Sequence, residues 1–460
     1  MKYQLYIVTF LFSCLYAAEA QNVFEKTYGS SAFEESKSVR QTADGGYIIG
    51  GTNLVKVDSL GIEEWTEAYP CLFANPTTAD EGYILINSDN NITFTKVGTN
   101  GDMLWQTNYS EGVWANSGNY VEQVQDGGYI VAGNFQSVAG SGMLLLKLNS
   151  EGNKVWRTTF SEPTSAGFSY GFAAQQTADK GYVIAGYTYI DYYESTRHKD
   201  VIVVKTDSSG IEQWRRYFGG IMDDSATFIK QDNEGNYFVA GNTNSFGGGT
   251  EANMYLIKLN AVGDSIWTKT YGGGLEDTAT GLWPTDDGGC ILVGGSNSFS
   301  AGDLDAYAIK VAENGNTIWT KKYGQTGIET LNSVQQTLDG GYVMAGYTNS
   351  IGAGDFDMLL LKTDAFGEVE INTSINENLI SAGKCEVYPN PNNGVFSIKS
   401  ERNISKIAIK NILGEIVYAT RINDNEANFN LRQQPKGIYY YQIYVGFEKI
   451  LEAGKIVILK

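Results

Sequence analysis

The stretch Ser265-Ile-Trp-Thr-Lys-Thr-Tyr-Gly-Gly-Gly274 belongs to a unit that recurs along most of the chain. In each unit an apolar run ends in a lysine, a glycine follows five residues later, and a tryptophan usually follows four residues after that glycine. This constant spacing indicates one structural unit repeated in tandem. The lysines are Lys56, Lys96, Lys147, Lys205, Lys258, Lys310 and Lys362, the glycines are Gly61, Gly101, Gly152, Gly210, Gly263, Gly315 and Gly367, and the tryptophans are Trp65, Trp105, Trp156, Trp214, Trp267 and Trp319.

The first and last units complement each other. The seventh unit has Ile371 in the tryptophan position and lacks the aromatic residue that follows each tryptophan four positions later. At the N-terminus, Val23-Phe-Glu-Lys-Thr-Tyr-Gly29 aligns with Ile266-Trp-Thr-Lys-Thr-Tyr-Gly272. We therefore predict that the N-terminal segment supplies the missing strand and closes a ring, which removes two open sheet edges.

A second signature, Asp-Gly-Gly-Tyr, lies between these strands at 44–47, 126–129 and 339–342, with variants elsewhere. Asp-Gly between two β-type runs predicts a tight hairpin, because its turn needs positive φ angles. Each unit therefore has four strands, and units of roughly 40 to 55 residues with four strands are typical of a β-propeller. In the sixth unit we place the strands near Thr278 to Pro284, Gly289 to Gly294, Asp305 to Val311 and Thr317 to Tyr323.

The sequence thus predicts an all-β protein of 460 residues in four parts. Residues 1–20 form a signal peptide, 21–371 a seven-bladed β-propeller whose N-terminal strand closes the last blade, and 372–384 a polar linker. Residues 385–460 alternate short apolar strands with Pro, Asn and Gly turns, which predicts a small Ig-like β-sandwich.

The N-terminal segment has the features of a secretory signal. It carries an early lysine, an apolar run from Leu5 to Leu15, and Ala18-Glu-Ala20, a small-residue site that predicts cleavage before Gln21. Leu11-Phe-Ser-Cys14 is only a poor lipobox, because Phe12 is bulky. No later stretch is long and apolar enough to cross a membrane, so we expect no transmembrane segment in the mature chain.

The charge is uneven along the chain. The formal net charge is −19; residues 21–384 hold 22 Lys and Arg against 44 Asp and Glu, whereas 385–460 hold 10 against 7. An acidic ring repels phosphate backbones, so we expect no nucleic-acid partner. Cys71, Cys290 and Cys385 lack metal or CxxC spacing and imply no disulfide framework. Cys290 takes the tyrosine place of its hairpin and is expected in the core.

A ligand-binding surface is expected on one face of the ring. The loops between second and third strands vary in length and share a face with the connections between blades, which we call the loop face; the Asp-Gly hairpins occupy the opposite hairpin face. Variable loops on a rigid scaffold commonly carry binding sites. The most divergent loop is tyrosine-rich, although a long hairpin whose rings cover its own base is the alternative. Its candidate residues are Tyr189, Asp191, Tyr192, Tyr193, Arg197 and His198.

Two further loops offer weak metal candidates. Asp303 and Asp305 recur as Asp355 and Asp357 in the next unit, and paired carboxylates could contribute to a calcium site. Two carboxylates are few for calcium, so an ordinary turn is the alternative. We predict no other cofactor.

The repeat lysines and tryptophans are interpreted as structural. The tryptophan row resembles the docking tryptophans of quinoprotein repeats only locally, because the spacing differs and no cofactor ligands can be assigned. Packing between blades accounts for these rings. The lysines would bury their stems and keep their heads in water.

No catalytic residues can be assigned. A Ser-His-Asp arrangement would have to use His198, the one histidine, which lacks a Gly-x-Ser-x-Gly elbow nearby. Paired-carboxylate hydrolysis stays open, because the many acids leave many possible pairs.

The C-terminal residues carry a specific resemblance. The Tyr-Pro-Asn-Pro run, Asn411-Ile-Leu-Gly414, Gly437-Ile-Tyr439 and the terminal Lys455 to Lys460 resemble, in order, the motifs of the type A C-terminal sorting domain of the Bacteroidota type IX secretion system. The resemblance implies export through the periplasm, contact with the type IX machinery, and a location on the outer-membrane surface or outside the cell. The sorting-signal residues are Tyr388, Pro389, Asn390, Pro391, Gly394, Gly414, Gly437, Lys455 and Lys460.

We therefore expect a secreted or cell-surface propeller that binds or scaffolds an extracellular glycan or protein. The alternative is a carbohydrate-active hydrolase or lyase with acidic residues at the channel mouth, and a structural surface-layer component is a third possibility.

Overall fold

The computed structural model describes residues 22–77, 80–88, 91–110, 115–137, 140–161, 168–191, 197–248, 251–300, 303–369, 386–411, 416–445 and 449–459. Over these ranges the regular elements are strands, arranged as seven four-stranded sheets and one five-stranded sheet. The predicted all-β class and the seven blades are confirmed. Two compact units are present, one within 22–369 and the other within 386–459.

The propeller strands follow the repeat. Strand β1 is Phe24–Tyr28. Blade one comprises β2 Ser36–Gln41, β3 Tyr47–Gly51, β4 Leu54–Val57 and β5 Glu63–Glu67. Blade two comprises β6 Phe73–Pro76, β7 Tyr83–Ser88, β8 Ile92–Val97 and β9 Met103–Tyr109. Blade three comprises β10 Ala115–Gln123, β11 Tyr129–Ser137, β12 Gly140–Leu148 and β13 Lys154–Phe160. Blades four to seven comprise β14 Ser169–Gln176, β15 Tyr182–Asp191, β16 Arg197–Thr206, β17 Glu212–Phe218; β18 Asp224–Gln231, β19 Tyr237–Thr243, β20 Asn253–Leu259, β21 Ser265–Tyr271; β22 Asp277–Pro284, β23 Cys290–Ser296, β24 Asp305–Val311, β25 Thr317–Tyr323; and β26 Glu329–Gln336, β27 Tyr342–Thr348, β28 Asp357–Thr363.

The ring is closed by its first strand. Strand β1 pairs antiparallel with β28, from Phe24 opposite Lys362 to Tyr28 opposite Met358. The seventh sheet therefore has the order β1-β28-β27-β26 and contains both ends of the repeat. This confirms the closure predicted from the missing tryptophan.

The tryptophan row joins neighbouring blades. Trp156 of blade three packs against Tyr182 of blade four, with ring centroids 5.5 Å apart. Trp319 of blade six packs in the same way against Tyr342 of blade seven, at 5.8 Å. At the closure Phe24 takes the tryptophan place and meets Tyr47 at 6.2 Å. Aromatic rings in edge contact add to the apolar area that each interface buries. Packing between blades is thus the structural role of this row.

The two sequence signatures meet in six of the seven blades; in blade five Glu234 replaces the hairpin aspartate, and Lys258 lies 3.4 Å from Glu313 instead. Lys362, which is buried, places its ammonium 2.8 Å from the carboxylate of Asp339 and donates to the backbone oxygen of Thr363. The expectation that the lysine heads lie in water is wrong, because the ammonium is buried and the partly exposed hairpin aspartate supplies its counter-charge. Gly341 lies beside this contact, and a Cβ there would be 2.2 Å from the Thr363 oxygen. The same Lys-Asp ion pair occurs at 2.8 to 2.9 Å for Lys56, Lys96, Lys147, Lys205 and Lys310.

The third strands and two cysteines are part of the propeller core. Every residue of β20, β24 and β28 is buried, as expected for strands covered on both faces by adjacent blades. Cys290 is buried with a free thiol, which confirms its assignment to the core, and Cys71 is also buried and free. Cys385 lies outside the described residues.

The C-terminal unit is a small, nearly closed β-sandwich. Its strands are β29 Glu386–Tyr388, β30 Val395–Lys410, β31 Ile416–Asn430, β32 Gly437–Val445 and β33 Lys449–Ile458, with β30 paired to β29, β31 and β32 and with β33 paired to β32. Asn392 bridges Ile458, which joins the chain after β29 to the last strand. Phe396 stacks on Phe429 in its core at 5.2 Å. The last strand, β33, is therefore held in the sheet on both sides.

Candidate functional site

The first strand of each blade contributes one residue to a ring of equivalent positions near the propeller axis. In each blade this residue pairs with the one that follows the hairpin tyrosine, as Arg40 does with Ile48, Lys230 with Phe238, and Trp283 with Ile291. The preceding position is apolar in every blade, and the following position is Gln or Pro. The ring itself is varied, and its members are Arg40, Asn75, Glu122, Gln175, Lys230, Trp283 and Gln335.

Three charged residues and one tryptophan form a group that we call the channel cluster: Arg40, Glu122, Lys230 and Trp283. The Lys230 ammonium lies 2.5 Å from Glu122 Oε2, which also accepts a 2.5 Å hydrogen bond from the Tyr120 hydroxyl. The Arg40 guanidinium lies 5.1 Å from the Trp283 ring centroid. Residues from blades one, three, five and six therefore converge on one point, which places the cluster at the axis.

Arg40 is held in place without using all of its donors. Its side chain is 4% exposed, and Nη1 donates to the Val39 backbone oxygen at 2.6 Å and to Ser333 Oγ at 3.1 Å. Its other terminal nitrogen, Nη2, is buried and has no hydrogen-bond acceptor within the part of the chain that the structure describes. A guanidinium carries five donors in a fixed fork, so an unused Nη2 is a ready donor for a further anion.

Burial and neighbouring charges shift the pKa values of the two cations in opposite directions. Burial lowers the pKa of the Arg40 guanidinium, and attraction to Tyr120 and Glu122, together with a side-chain hydrogen bond between Arg40 and Tyr120, opposes this effect. Burial also disfavours the charged form of Lys230, but Glu122 and then Tyr120 outweigh it, so that the pKa of Lys230 is raised. The cluster thus has two cations and one carboxylate, and its formal charge is positive within a strongly acidic ring.

The axis is filled beneath the cluster by three rings, Phe73, Tyr120 and Phe228, which we call the aromatic plug. Phe73 lies 4.4 Å from Tyr120 and 6.5 Å from Phe228 between centroids, and all three are buried. The equivalent positions of the other blades are small and include Ser38 and Gly281. Large rings from three blades fit the axis because these small residues leave room for them.

A cavity of about 550 Å³, the central pit, lies above the plug. The channel cluster forms its charged floor, and a second cavity of about 480 Å³ shares Gln175, Lys230 and Trp283 with it. Both are lined by residues of the Asp-Gly hairpins, so they open on the hairpin face. The other residues that line the pit are Asn75, Pro76, Gln123, Val124, Gln125, Gly127 and Gln175.

Glutamines at the ends of the first strands hold the wall of the pit. Gln175 Oε1 accepts from the backbone N–H of Gln231 at 2.8 Å, and Gln176 Oε1 accepts from that of Gln125 at 2.9 Å. Each bond joins neighbouring blades. Such links fix the spacing of the first strands and leave the pit preformed.

The tyrosine-rich loop is a long hairpin where it is described. Strands β15 and β16 pair from Tyr182 to Asp191, and the ring of Tyr187 packs against those of Tyr170 at 4.9 Å and Tyr189 at 5.7 Å. His198 is buried, with Nε2 3.6 Å from Asp200 Oδ1. Asp191 and Arg197 are paired at the end of the hairpin, while Tyr192 and Tyr193 lie outside the described residues. Ligand binding by this hairpin stays a prediction.

The metal candidates occupy turns and strand starts. Asp303 and Asp355 are exposed, whereas Asp305 and Asp357 are buried at the first positions of β24 and β28. Asp357 Oδ2 accepts from the Ala353 N–H at 2.8 Å. Within the described ranges no three His, Cys, Asp or Glu side chains are grouped as a metal site requires. Calcium binding here stays a prediction.

The sorting-signal residues surround the last strand. Asn390 donates to the Lys455 backbone oxygen at 2.7 Å and accepts from the Val457 N–H at 2.8 Å. Gly394 has a φ of 91° in a tight turn, and the Tyr388 hydroxyl donates to Glu426 at 2.8 Å. Pro389 and Pro391 are exposed around Asn390, Gly437 begins β32, and Lys455 is exposed in β33, while Gly414 and Lys460 lie outside the described residues.

The sequence reasoning missed the channel cluster. Its signal was present, because position 40 and its equivalents, apart from Trp283, are polar and differ from blade to blade, whereas the adjacent positions repeat. In a tandem repeat, such a position is free of the packing demand that unifies its neighbours. Attention to loop length pointed instead to the opposite face.

Comparison with known families identifies the C-terminal unit. Residues 386–458 match the family model described as the secretion system C-terminal sorting domain. The resemblance read from the Tyr-Pro-Asn-Pro and later motifs is confirmed, and the C-terminal unit is a type IX sorting domain that implies export. No curated protein matches the chain. Over the described residues, we find no helix of the length and hydrophobicity needed to span a membrane.

Several solved structures are similar to the chain at low identity. The extracellular domain of a putative hybrid two-component system from B. thetaiotaomicron is 12% identical, with a TM-score of 0.43. The match covers 95% of this chain and 57% of the length of that structure. PorZ from Porphyromonas gingivalis, a surface component of the type-IX secretion system, is 12% identical with a TM-score of 0.35, covering 94% of this chain and 71% of its own. The Dos1 propeller is 12% identical, with a TM-score of 0.47, and the match covers 76% of this chain and 96% of the Dos1 propeller.

Proposed function

We propose that this protein is a type IX cargo that acts outside the cell as a binding protein, with its ligand in the central pit. The sorting domain supports the export route. The observation that carries the binding role is the channel cluster, a varied and charged ring position within an otherwise regular repeat. A preformed polar cavity with a few convergent charged groups is typical of a ligand site.

The lining of the central pit, taken without the adjoining cavity, favours binding over paired-carboxylate hydrolysis. That chemistry needs two carboxyl groups that flank the scissile bond. Among the residues described at the floor of the pit, the carboxylate is that of Glu122, and Tyr120 and Lys230 already engage one of its oxygens. A scaffolding role would not require a charged pit.

The test is to block the pit without touching its floor. The Gln125 side chain is exposed at the rim, and its backbone N–H, not its side chain, bonds to Gln176. Gln125→Trp should obstruct the mouth and abolish binding to ligands found by screening the purified protein against extracellular glycans. A Tyr192→Ala, Tyr193→Ala double variant tests the loop face in parallel. Binding that survives Gln125→Trp but is lost in the double variant would overturn the pit in favour of the loop.

A further inference from the structure

We infer that the central pit binds the carboxylate group of an acidic sugar, a hexuronate, inserted end-on; this inference rests on the proposed function and names its ligand. The floor carries Arg40 and Lys230 against one carboxylate, Glu122. A buried excess of positive charge is costly unless an anion completes it. A ligand anion would supply that missing charge.

The unused donor of Arg40 specifies the kind of anion. Nη1 is engaged by protein oxygens, whereas the buried Nη2 has no acceptor among the described residues. Lys230 approaches the same floor from blade five. A carboxylate has two oxygens that can accept from a guanidinium nitrogen and an ammonium together, and such charge-assisted hydrogen bonds are stronger than neutral ones.

The shape of the pit requires the anion to be at an end of the ligand. Phe73, Tyr120 and Phe228 meet at the axis and fill the space beneath the cluster. A polymer therefore cannot thread the ring through this point. A free hexuronate, or the terminal residue of an acidic oligosaccharide, can place its carboxylate on the floor.

The walls favour a hydroxyl-rich ligand. The pit is lined by the amide side chains of Asn75, Gln123 and Gln175, and the adjoining cavity is lined by five carboxylates, those of Asp232, Glu234, Asp286, Asp287 and Glu313. Sugar hydroxyls donate and accept hydrogen bonds, so they match this mixture of amides and carboxylates. The apolar residues of the pit lining are Pro76, Val124 and Trp283, and the ring of Trp283 offers a face on which a sugar ring can pack.

The test is calorimetric titration of the purified protein with glucuronate, galacturonate and their short oligosaccharides, beside the uncharged glucose and galactose counterparts. We expect the acids to bind at least about tenfold more tightly than the neutral sugars, because only they reach Arg40 and Lys230 with a charge. Arg40→Met should weaken hexuronate binding by about tenfold to a hundredfold. This variant keeps the balanced Lys230 and Glu122 pair, so it should fold, which its melting temperature checks.

A charge series separates ligand binding from a structural role. Glu122→Gln removes the one floor carboxylate and should tighten hexuronate binding, although it lowers the melting temperature, whereas Arg40→Met weakens binding. A merely structural cluster would lose binding in both variants. Lys269→Met, which removes an exposed cation from the outer strand β21, is the control and should leave the affinity unchanged.

The outcomes distinguish the two proposals. If ligands bind and Gln125→Trp has no effect, the pit is not the site and the proposed function fails. If Gln125→Trp abolishes binding but neutral sugars bind as well as acids, or Arg40→Met has no effect, the pit stands and the hexuronate is wrong. Binding of a free peptide carboxylate in place of hexuronates would overturn the sugar assignment.

Discussion

At the scale of single residues, the repeat lysines show how a charge can be buried repeatedly. The Lys362 ammonium is almost fully buried, but it is bonded to Asp339 and to a backbone oxygen, so its donors are satisfied. Hydrogen bonds from Lys362 and Thr337 overcome the effect of burial and hold the pKa of Asp339 below its usual range. The ion pair therefore links strand three of a blade to its own hairpin.

We predict that Asp339→Asn destabilises the propeller by about 2 kcal/mol, because it leaves the Lys362 ammonium buried without its counter-charge while the partly solvated carboxylate limits the loss. Since the pKa of Asp339 is lowered on folding, its contribution is present above about pH 4 and is lost as the pH falls through the native pKa. The gap between the wild type and Asp339→Asn should therefore shrink in acid.

Urea unfolding at neutral and acid pH measures this gap. Asp102→Asn, in an exposed turn position, is the control and should change stability by less than about 0.5 kcal/mol. An Asp339→Asn variant as stable as the control at pH 7 would show that the buried ammonium does not depend on its carboxylate.

The sequence could predict some of these residue roles and not others. A fixed interval between lysine, glycine and tryptophan reveals that each has one structural place, which identified Trp319 and Lys362 as packing residues. It does not reveal that Asp339 folds back onto Lys362, because that contact depends on the register of the hairpin. Arg40 and Lys230 are 190 positions apart in the sequence and meet only because the ring brings blades one and five to the same axis.

At the scale of elements, the closing strand β1 stabilises the ring by connecting its first and last blades. Phe24 packs against Tyr47 of blade one while β1 pairs with β28 of blade seven, so one strand connects the two ends of the repeat. Phe24→Ala should cost about 3 kcal/mol, because it removes a buried ring at the one interface that closes the circle.

Denaturant unfolding, with proteolysis of the N-terminal strand as a second readout, checks the effect of Phe24→Ala. Phe366→Ala is the matched control, since that ring is 70% exposed and its removal should change little. Equal stability of the two variants would contradict a closing role for β1.

The interface between blades four and five contains a titratable contact. An added Cβ at Gly219 would lie 2.2 Å from Asp200 Oδ1 and 2.9 Å from Asp224 Oδ2, so the two carboxylates approach each other there. Burial raises the pKa of Asp200 to about 6, His198 opposes the shift, and Asp224 reinforces it. Asp200 is therefore partly protonated in the native state at mildly acid pH.

We predict that this interface weakens as the pH rises. Because the native pKa of about 6 exceeds the unfolded value near 4, the favourable contribution of protonated Asp200 is complete below about pH 4 and is lost as the pH passes through 6. Asp200→Asn removes this dependence. As the pH rises from 4.5 to 7.5, the unfolding free energy of the variant should therefore increase by about 2 kcal/mol relative to that of the wild type. Parallel stability curves for the two proteins, measured by urea unfolding, would contradict the assignment.

At the scale of the whole molecule, the chain has two units of different character. The acidic propeller repeats one blade seven times, whereas the C-terminal unit carries a slight excess of basic residues and the sorting motifs. Blade number, closure and the sorting domain follow from periodic spacing and local motifs, which a sequence displays directly. The central pit does not, because its lining is collected from six blades.

Removing the C-terminal unit should separate export from folding. We predict that a variant ending at Lys384 accumulates in the periplasm, because it keeps the N-terminal segment expected to direct the first membrane crossing but lacks the sorting domain that implies the second. The propeller strands, from β1 to β28, are all retained, so the variant should still fold and keep any ligand affinity of the pit.

Cell fractionation and protease treatment of intact cells would locate the variant. Asn390→Ala, which loses both bonds to the last strand, should reduce export less than the truncation, since β33 keeps its pairing with β32. Full-length Lys269→Met is the control and should be exported normally, because it alters only an exposed propeller side chain. A truncated chain found on the cell surface or in the medium would mean that the propeller itself carries an export signal, and the division of roles between the two units would then be wrong.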